Sequence, residues 1–88
     1  MTDPKTVLIV DDSRVSRLMA RQFILSARPD WQVEEAATGE AAIESVQGKA
    51  PALIMVDVNM PGMGGLAAAD RLRALCPTAQ IYLVTANV

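Results

Sequence analysis

Residues 7–12 read VLIVDD and residues 53–57 read LIMVD, so two short apolar runs each lead directly into aspartate. Such runs of Val, Ile, Leu and Met are typical of strands that are buried on both faces of a parallel sheet. The ligand crevice of an open α/β sheet lies at the carboxyl ends of its strands. If the two runs are adjacent parallel strands, Asp11, Asp12 and Asp57 converge at one edge of the sheet.

The composition is that of one small domain with an aliphatic core. The chain has 88 residues, of which 51% are hydrophobic and 3% aromatic. Its net charge of -2 argues against nucleic-acid binding, which requires a basic surface. No apolar run approaches the ~20 residues of a membrane span, and the N-terminus does not resemble a signal peptide. The single Cys76 excludes an intrachain disulfide, and we expect a buried thiol in a cytoplasmic protein.

Strand and helix patterns alternate along the chain. We predict strands at 6–10, 32–36, 52–56 and 81–84, and helices at 13–27, 40–47 and 66–75. Proline, glycine and capping residues separate these segments. The β-α-β-α-β-α-β order predicts an α/β fold with a mostly parallel sheet and right-handed crossovers.

Helical periodicity groups the apolar residues of each predicted helix on one side. In the first helix these residues are Val15, Leu18, Met19, Phe23 and Leu25. On the inner faces of the second and third helices we place Ala42, Ile43, Val46, Leu66, Ala69, Leu72 and Leu75.

The clustered aspartates predict a site for a hard cation. Carboxylates that gather without a neighbouring Lys or His repel one another, and a bound cation relieves that repulsion. Asp11, Asp12 and Asp57 would supply ligands, and the backbone carbonyl of Asn59 would add a further oxygen. Such an all-oxygen set favours Mg²⁺, with Mn²⁺ as the alternative. Asp11 and Asp12 could instead cap a helix, which would leave Asp57 unexplained.

Asp57 is the candidate nucleophile of this cluster. A carboxylate can accept a phosphoryl group as an aspartyl-phosphate, and Mg²⁺ would neutralise charge on the phosphoryl oxygens. The Thr85 hydroxyl, at the end of the last strand, could donate to a phosphoryl oxygen, or Thr85 is simply a β-prone residue that finishes a strand. Mutual repulsion is expected to raise the pKa of at least one of the three acids.

These motifs together resemble the receiver domain of bacterial two-component response regulators. The resemblance rests on VLIVDDS at 7–13, DVNMPGMGG at 57–65 and Thr85-Ala86. It implies a flavodoxin-like doubly wound sheet in the order 2-1-3-4, with Asp57 as phosphoacceptor and Thr85 as switch hydroxyl. A phosphohistidine on a sensor histidine kinase or histidine phosphotransfer protein would be the donor. The chain would then be a signalling domain and not a turnover enzyme.

The sequence departs from the receiver pattern in two places. Gly64 stands where receivers commonly carry Asp or Asn, and glycine is a weaker cap, so we expect a loosely started third helix. The family's fourth helix, fifth strand and fifth helix have no counterpart before Val88, so we expect a partial receiver over residues 1–88. An open fourth strand or a bare sheet face would then favour association, including a homodimer.

Two other functions stay open. The chain could be a phosphorylation-independent protein-interaction module, or a phosphatase-type enzyme with an Asp nucleophile. The phosphatase-type alternative resembles the dehalogenase-like hydrolases. Those enzymes carry an acidic residue two positions after the nucleophile, where this sequence has Asn59. The first helix also carries an arginine stripe, Arg14, Arg17, Arg21 and Arg28, which is either a docking surface or a solvated face. We favour the solvated face.

Overall fold

In residues 5–60 and 62–84, which the computed structural model describes, three helices pack against a four-stranded parallel sheet. The elements in chain order are β1 (Thr6–Val10), α1 (Arg14–Ala27), β2 (Gln32–Ala36), α2 (Gly39–Ser45), β3 (Leu53–Asp57), α3 (Gly65–Leu75) and β4 (Gln80–Val84). Every predicted element forms, with its bounds shifted by at most two residues. None of the helices in this part of the chain combines the length and apolarity that crossing a bilayer requires.

The strands pair in the order β2-β1-β3-β4, and every pairing is parallel. This confirms the predicted α/β fold class and the order 2-1-3-4. Val10 in β1 is in register with Val56 in β3, so the next residues along the two strands are Asp11 and Asp57. The two apolar runs therefore end side by side at the carboxyl edge of the sheet.

The apolar run of β1 forms the centre of the core, because β1 lies between two strands and helices cover both faces of the sheet. Its residues from Val7 to Val10 are at most 3% exposed. On one face the sheet packs against α2 and α3, where Ala42 and Val46 are buried and Ile43 is partly buried, as predicted.

The other face of the sheet is covered by α1. None of the residues of α1 is fully buried. The apolar side of α1 points to solvent instead. We call Val15, Leu18, Met19 and Phe23 the α1 stripe, and their exposed fractions run from 50% to 77%. The periodicity thus predicted the helix correctly but did not show that its apolar side faces outward.

The prediction for the inner face of α3 was half right. Ala69 and Leu72 are buried as expected, but the placement of Leu66 and Leu75 on the inner face was wrong, since they are 61% and 45% exposed. The reason is the phase of the helix. The buried side of α3 is formed by Gly65, Ala68, Ala69 and Leu72, and Cys76 follows on the same side. Leu66 and Leu75 each lie one residue away from this side, which is about 100° around the helix, so they face solvent.

Cys76 follows α3 as its C-cap and is 1% exposed, which confirms a buried thiol. Burial raises the pKa of this thiol above its ordinary value. It therefore stays protonated at neutral pH and behaves as a small apolar group.

Within the described residues, β4 is an edge strand that pairs with β3 alone. Tyr82 and Leu83 in this strand are about half exposed. The open edge and association through it stay predictions.

Candidate metal centre at the carboxyl edge of the sheet

Three carboxylates meet where β1 and β3 end. Asp11, Asp12 and Asp57 each offer one oxygen, and these oxygens all lie within 4.8 Å of one another. A Mg²⁺ ion bonds oxygens at about 2.1 Å, so its ligand oxygens stand about 3 to 4 Å apart. The cluster thus fits a small hard cation with only slight closure, and the predicted convergence is confirmed.

The three carboxylate residues of the cluster differ in exposure. Asp12 is exposed, Asp11 is half-buried, and Asp57 is 5% exposed. Burial therefore increases from Asp12 towards Asp57. Asp12 is therefore the member of the cluster that is most accessible from solvent.

Local turns hold two of the carboxylates. Oδ1 of Asp11 accepts a hydrogen bond from the Ser13 N–H at 2.9 Å, and Oδ1 of Asp57 accepts one from the Asn59 N–H at 3.0 Å. Aspartate commonly makes such bonds to the backbone two residues ahead. Both bonds use Oδ1, so the second oxygen of each carboxylate is left for a ligand.

The alternative role of the first two aspartates as helix caps is not what the structure has. Ser13 is the N-cap of α1, and its hydroxyl accepts a hydrogen bond from the Ser16 N–H at 3.2 Å. Because Ser13 fills the cap position, neither Asp11 nor Asp12 is the cap of α1, and their carboxylates are available to a cation.

The pKa of Asp11 is raised above its ordinary value. Burial is the largest cause; repulsion from Asp57 and Asp12 adds to it, and the Ser13 hydrogen bond and the Arg17 charge oppose it. The predicted repulsion is therefore confirmed, but desolvation contributes more. Both effects disfavour the ionised carboxylate, and a bound cation would counter both.

Two other predicted site residues stay predictions. Asn59 is exposed beside the cluster and donates its N–H to Asp57, and the role of its carbonyl as a ligand is untested. Thr85 lies outside the described residues.

Sequence reasoning missed the importance of Gly65. A Cβ atom at this position would overlap the carbonyl oxygen of Asp57 and the Cα of Val58. Gly64 precedes it with φ 81° and makes no side-chain cap, which agrees with the weak cap that the sequence predicted. The Gly-Gly pair after the loop was the available signal, because glycine permits both positive φ and close backbone contact.

Sequence reasoning also missed the contacts of Arg17 and Arg21. Nη1 of Arg17 donates to the carbonyl oxygen of Asp11 at 2.7 Å, and its Nε pairs with Glu35 of β2 at 3.0 Å. Arg21 pairs with the other oxygen of Glu35, also at 3.0 Å. The preferred interpretation as a solvated face was therefore wrong for Arg17, whose side chain is only 15% exposed. The side chain of Arg21 is 41% exposed, so it stays on the solvated face although it pairs with Glu35.

The two lysines of the sequence lie far from the carboxylates. Lys5 and Lys49 line a cavity of about 540 Å³ beside Trp31 at the opposite, amino edge of the sheet. Neither lysine therefore lies near enough to neutralise the three carboxylates.

The sequence profile described as the response regulator receiver domain matches residues 7–88. The chain belongs to this receiver family. A receiver is a two-component signalling module and not a turnover enzyme, so the phosphatase-type reading is set aside.

Relatives of this receiver include regulators of different output. The nitrate/nitrite response regulator NarL of Escherichia coli K12 is 42% identical over 71 residues, which make 81% of this chain and 33% of NarL. The chemotaxis protein CheY of Thermotoga maritima is 34% identical over 83 residues, 93% of this chain and 68% of that one. The receiver chain thus spans about a third of the length of NarL.

Solved receivers share the fold over nearly the whole chain. The chemotaxis protein CheY4 of Vibrio cholerae superimposes with a TM-score of 0.85 at 31% identity, over 97% of this chain and 71% of that one. The regulator TrrA of Thermotoga maritima, solved in complex with Mg²⁺ and BeF, gives a TM-score of 0.85 at 29% identity, over 94% and 70%.

Proposed function

We propose that Asp57 of this receiver accepts a phosphoryl group from a phosphohistidine of a donor protein, in a reaction that depends on Mg²⁺. The observation that carries the proposal is the position of Asp57, at the end of β3 with a carboxylate oxygen within 4.8 Å of oxygens of Asp11 and Asp12. An all-oxygen donor set of this kind suits Mg²⁺, with Mn²⁺ as a substitute.

The transfer exchanges one bond for another. A carboxylate oxygen of Asp57 attacks the phosphorus, the P–N bond to the donor imidazole breaks as the P–O bond forms, and the electron pair returns to the ring nitrogen. When bound, Mg²⁺ supplies positive charge that neutralises the phosphoryl oxygens. Asp11, Asp12 and the Asn59 carbonyl would hold it, and the Thr85 hydroxyl would bind the transferred group as the switch.

The donor protein would dock on the α1 stripe. α1 begins two residues after Asp12, so this exposed apolar surface starts close along the chain to the carboxylate cluster. Exposed apolar surfaces of this kind commonly mark protein interaction sites. The partner would be a sensor histidine kinase or a histidine phosphotransfer protein, in a cytoplasmic compartment that keeps the single thiol reduced.

Acetyl phosphate tests the chemistry without a partner protein. We expect the chain to gain one phosphoryl group when it is incubated with acetyl phosphate and Mg²⁺, and peptide mapping should place that group on Asp57. Excess EDTA should abolish the gain, because the cluster would then lack its cation. Intact-mass spectrometry measures both results. Absence of any phosphorylated species in Mg²⁺ would overturn the proposal and favour a phosphorylation-independent interaction module.

A charge placed in the α1 stripe should separate docking from chemistry. Leu18→Glu is expected to slow transfer from a phosphohistidine donor by about 10-fold, because it buries an unpaired charge in the contact. Labelling by acetyl phosphate should stay at the rate of the unaltered chain. Leu75→Glu, on the exposed side of α3, is the matched control and should leave both rates unchanged. Equal transfer rates for Leu18→Glu and the unaltered chain would exclude the stripe as the docking surface.

A further inference from the structure

We propose that Arg17 is a positioning residue for the carboxylate cluster, because its hydrogen bond to the Asp11 carbonyl fixes the peptide group that joins Asp11 to Asp12. The inference rests on the proposed Mg²⁺ site in one respect only, namely that the positioned carboxylates bind the ion. Arg17 of α1 and its partner Glu35 of β2 would thus hold the backbone that carries the carboxylates, although neither residue is a ligand.

The contact between Arg17 and the Asp11 carbonyl restrains the backbone at Asp11. The bond from Nη1 of Arg17 to the Asp11 carbonyl is short, at 2.7 Å, and comes from a charged donor. The side chain of Arg17 is only 15% exposed and is held at its other end by Glu35 at 3.0 Å. Arg17 therefore has little freedom to leave the carbonyl.

Asp11 is held at three points. Its N–H donates to the Ala36 carbonyl at 3.1 Å, its carboxylate accepts from Ser13, and its carbonyl accepts from Arg17. Asp12 is exposed, so the peptide group before it sets where its carboxylate can reach. Consecutive carboxylates reach one ion only where the backbone bends, and the Arg17 bond secures that bend.

Glu35 keeps Arg17 in place. Burial acts to raise the pKa of Glu35, but hydrogen bonds and charge from Arg17 and Arg21 outweigh it and lower that pKa. Glu35 is thus fully ionised at neutral pH and holds both arginines. Arg21 makes its other contact with the Val33 carbonyl at 3.4 Å and does not bond Asp11. Arg21 is therefore a suitable control for Arg17, because it is the same residue type on the same helix and pairs with the same glutamate.

The direction in which Mg²⁺ affinity changes when Arg17 is replaced distinguishes a positioning role from simple charge repulsion. Arg17 carries a positive charge near a proposed cation site, so charge repulsion alone would make Mg²⁺ bind more tightly once Arg17 is removed. Loss of positioning would make it bind more weakly. The two explanations therefore predict opposite changes for Arg17→Met.

The metal readout is a Mg²⁺ titration of the unphosphorylated chain, followed by NMR amide shifts. We expect Arg17→Met to raise the Kd for Mg²⁺ by about 10-fold, as loss of groups that orient metal ligands commonly does. Arg21→Met should stay within about 2-fold of the unaltered chain, although it breaks an ion pair to the same carboxylate. Arg17→Lys keeps the charge but cannot bridge both partners, and should weaken Mg²⁺ binding as well.

The second readout needs no metal. The Ser13 amide is bonded to the Asp11 carboxylate, so its hydrogen exchange reports how firmly Asp11 is held. Arg17→Met should speed that exchange about 5-fold or more in Mg²⁺-free buffer, and Arg21→Met should not.

The two readouts distinguish the possible failures. Faster Ser13 exchange in a protein that binds no Mg²⁺ supports the positioning role and overturns the proposed function. Unchanged or tighter Mg²⁺ binding with unchanged Ser13 exchange overturns the positioning role, whether or not Asp57 is phosphorylated. If Arg17→Met does not fold, Arg17→Lys decides the question on the same measurements.

Discussion

Asp57→Asn is expected to abolish phosphorylation and, in Mg²⁺-free buffer, to stabilise the fold. The amide keeps the shape of the carboxylate, and its oxygen can still accept the hydrogen bond from Asn59. It cannot form the acyl phosphate under these conditions, so no phosphorylated species should be detected. It also removes a charge that is 5% exposed and close to two others. We expect the free energy of unfolding to rise by about 1 kcal/mol.

The same substitution should lower the pKa of Asp11, because repulsion from Asp57 is one of the causes that raise it. In the unaltered chain, a raised folded-state pKa means that Asp11 costs stability above that pKa, and that the cost disappears as the pH falls through it. This gain of stability on acidification should be smaller in Asp57→Asn. Urea titrations at several pH values and NMR titration of Asp11 measure the two effects.

Asp30→Asn is the matched control for charge. Asp30 is exposed in the turn that follows α1, and it lies outside the acidic cluster. The variant should be phosphorylated normally and should unfold within about 0.5 kcal/mol of the unaltered chain. A phosphorylated Asp57→Asn protein, or one that is less stable without Mg²⁺, would contradict the site described here.

Gly65→Ala is expected to cost about 3 kcal/mol of stability or more, which is a large share of the total for a domain of this size. The added methyl group would overlap the backbone of Asp57 and Val58, and backbone atoms cannot rotate away as a side chain can. Either α3 or the end of β3 must move. Urea unfolding followed by Trp31 fluorescence and by circular dichroism measures the loss.

Gly48→Ala tests whether the effect is specific to this contact. No heavy atom lies within 4 Å of a Cβ built at Gly48, so this variant should unfold within about 0.5 kcal/mol of the unaltered chain. Gly39→Ala should fall between the two, since its Cβ would meet the flexible Met63 Sδ at 2.8 Å and the Ala68 Cβ at 2.9 Å. Equal stabilities for Gly65→Ala and Gly48→Ala would show that α3 does not press on the Asp57 peptide.

The elements that position the carboxylates could be predicted from sequence because their signals are local. The runs before Asp11 and Asp57 are short, aliphatic and followed by turn residues, and a parallel arrangement brings their ends together. Alternation of strands and helices was enough to predict the sheet. The site followed from these two patterns without any knowledge of side-chain packing.

The contacts that support the site could not be predicted, because they depend on how closely two elements approach. Periodicity shows that Leu18 and Phe23 share one side of a helix, but not whether that side meets the sheet. In the same way, Leu66 has the spacing of a core residue, yet the buried side of α3 runs through Gly65 and Leu72 and leaves Leu66 exposed. The Arg17 bond to a carbonyl joins a helix to the end of a strand, and no spacing rule describes it.

The register of β1 against β3 links the assembly of the carboxylate cluster to the progress of folding. The two strands are separated along the chain by α1, β2 and α2, so their pairing closes a long loop and is expected to be slow. Until that pairing forms, the aspartates after the two strands belong to unconnected parts of the polypeptide. The carboxylate cluster would therefore be absent from a nascent or partly unfolded chain, and its first appearance would mark the pairing of these two strands.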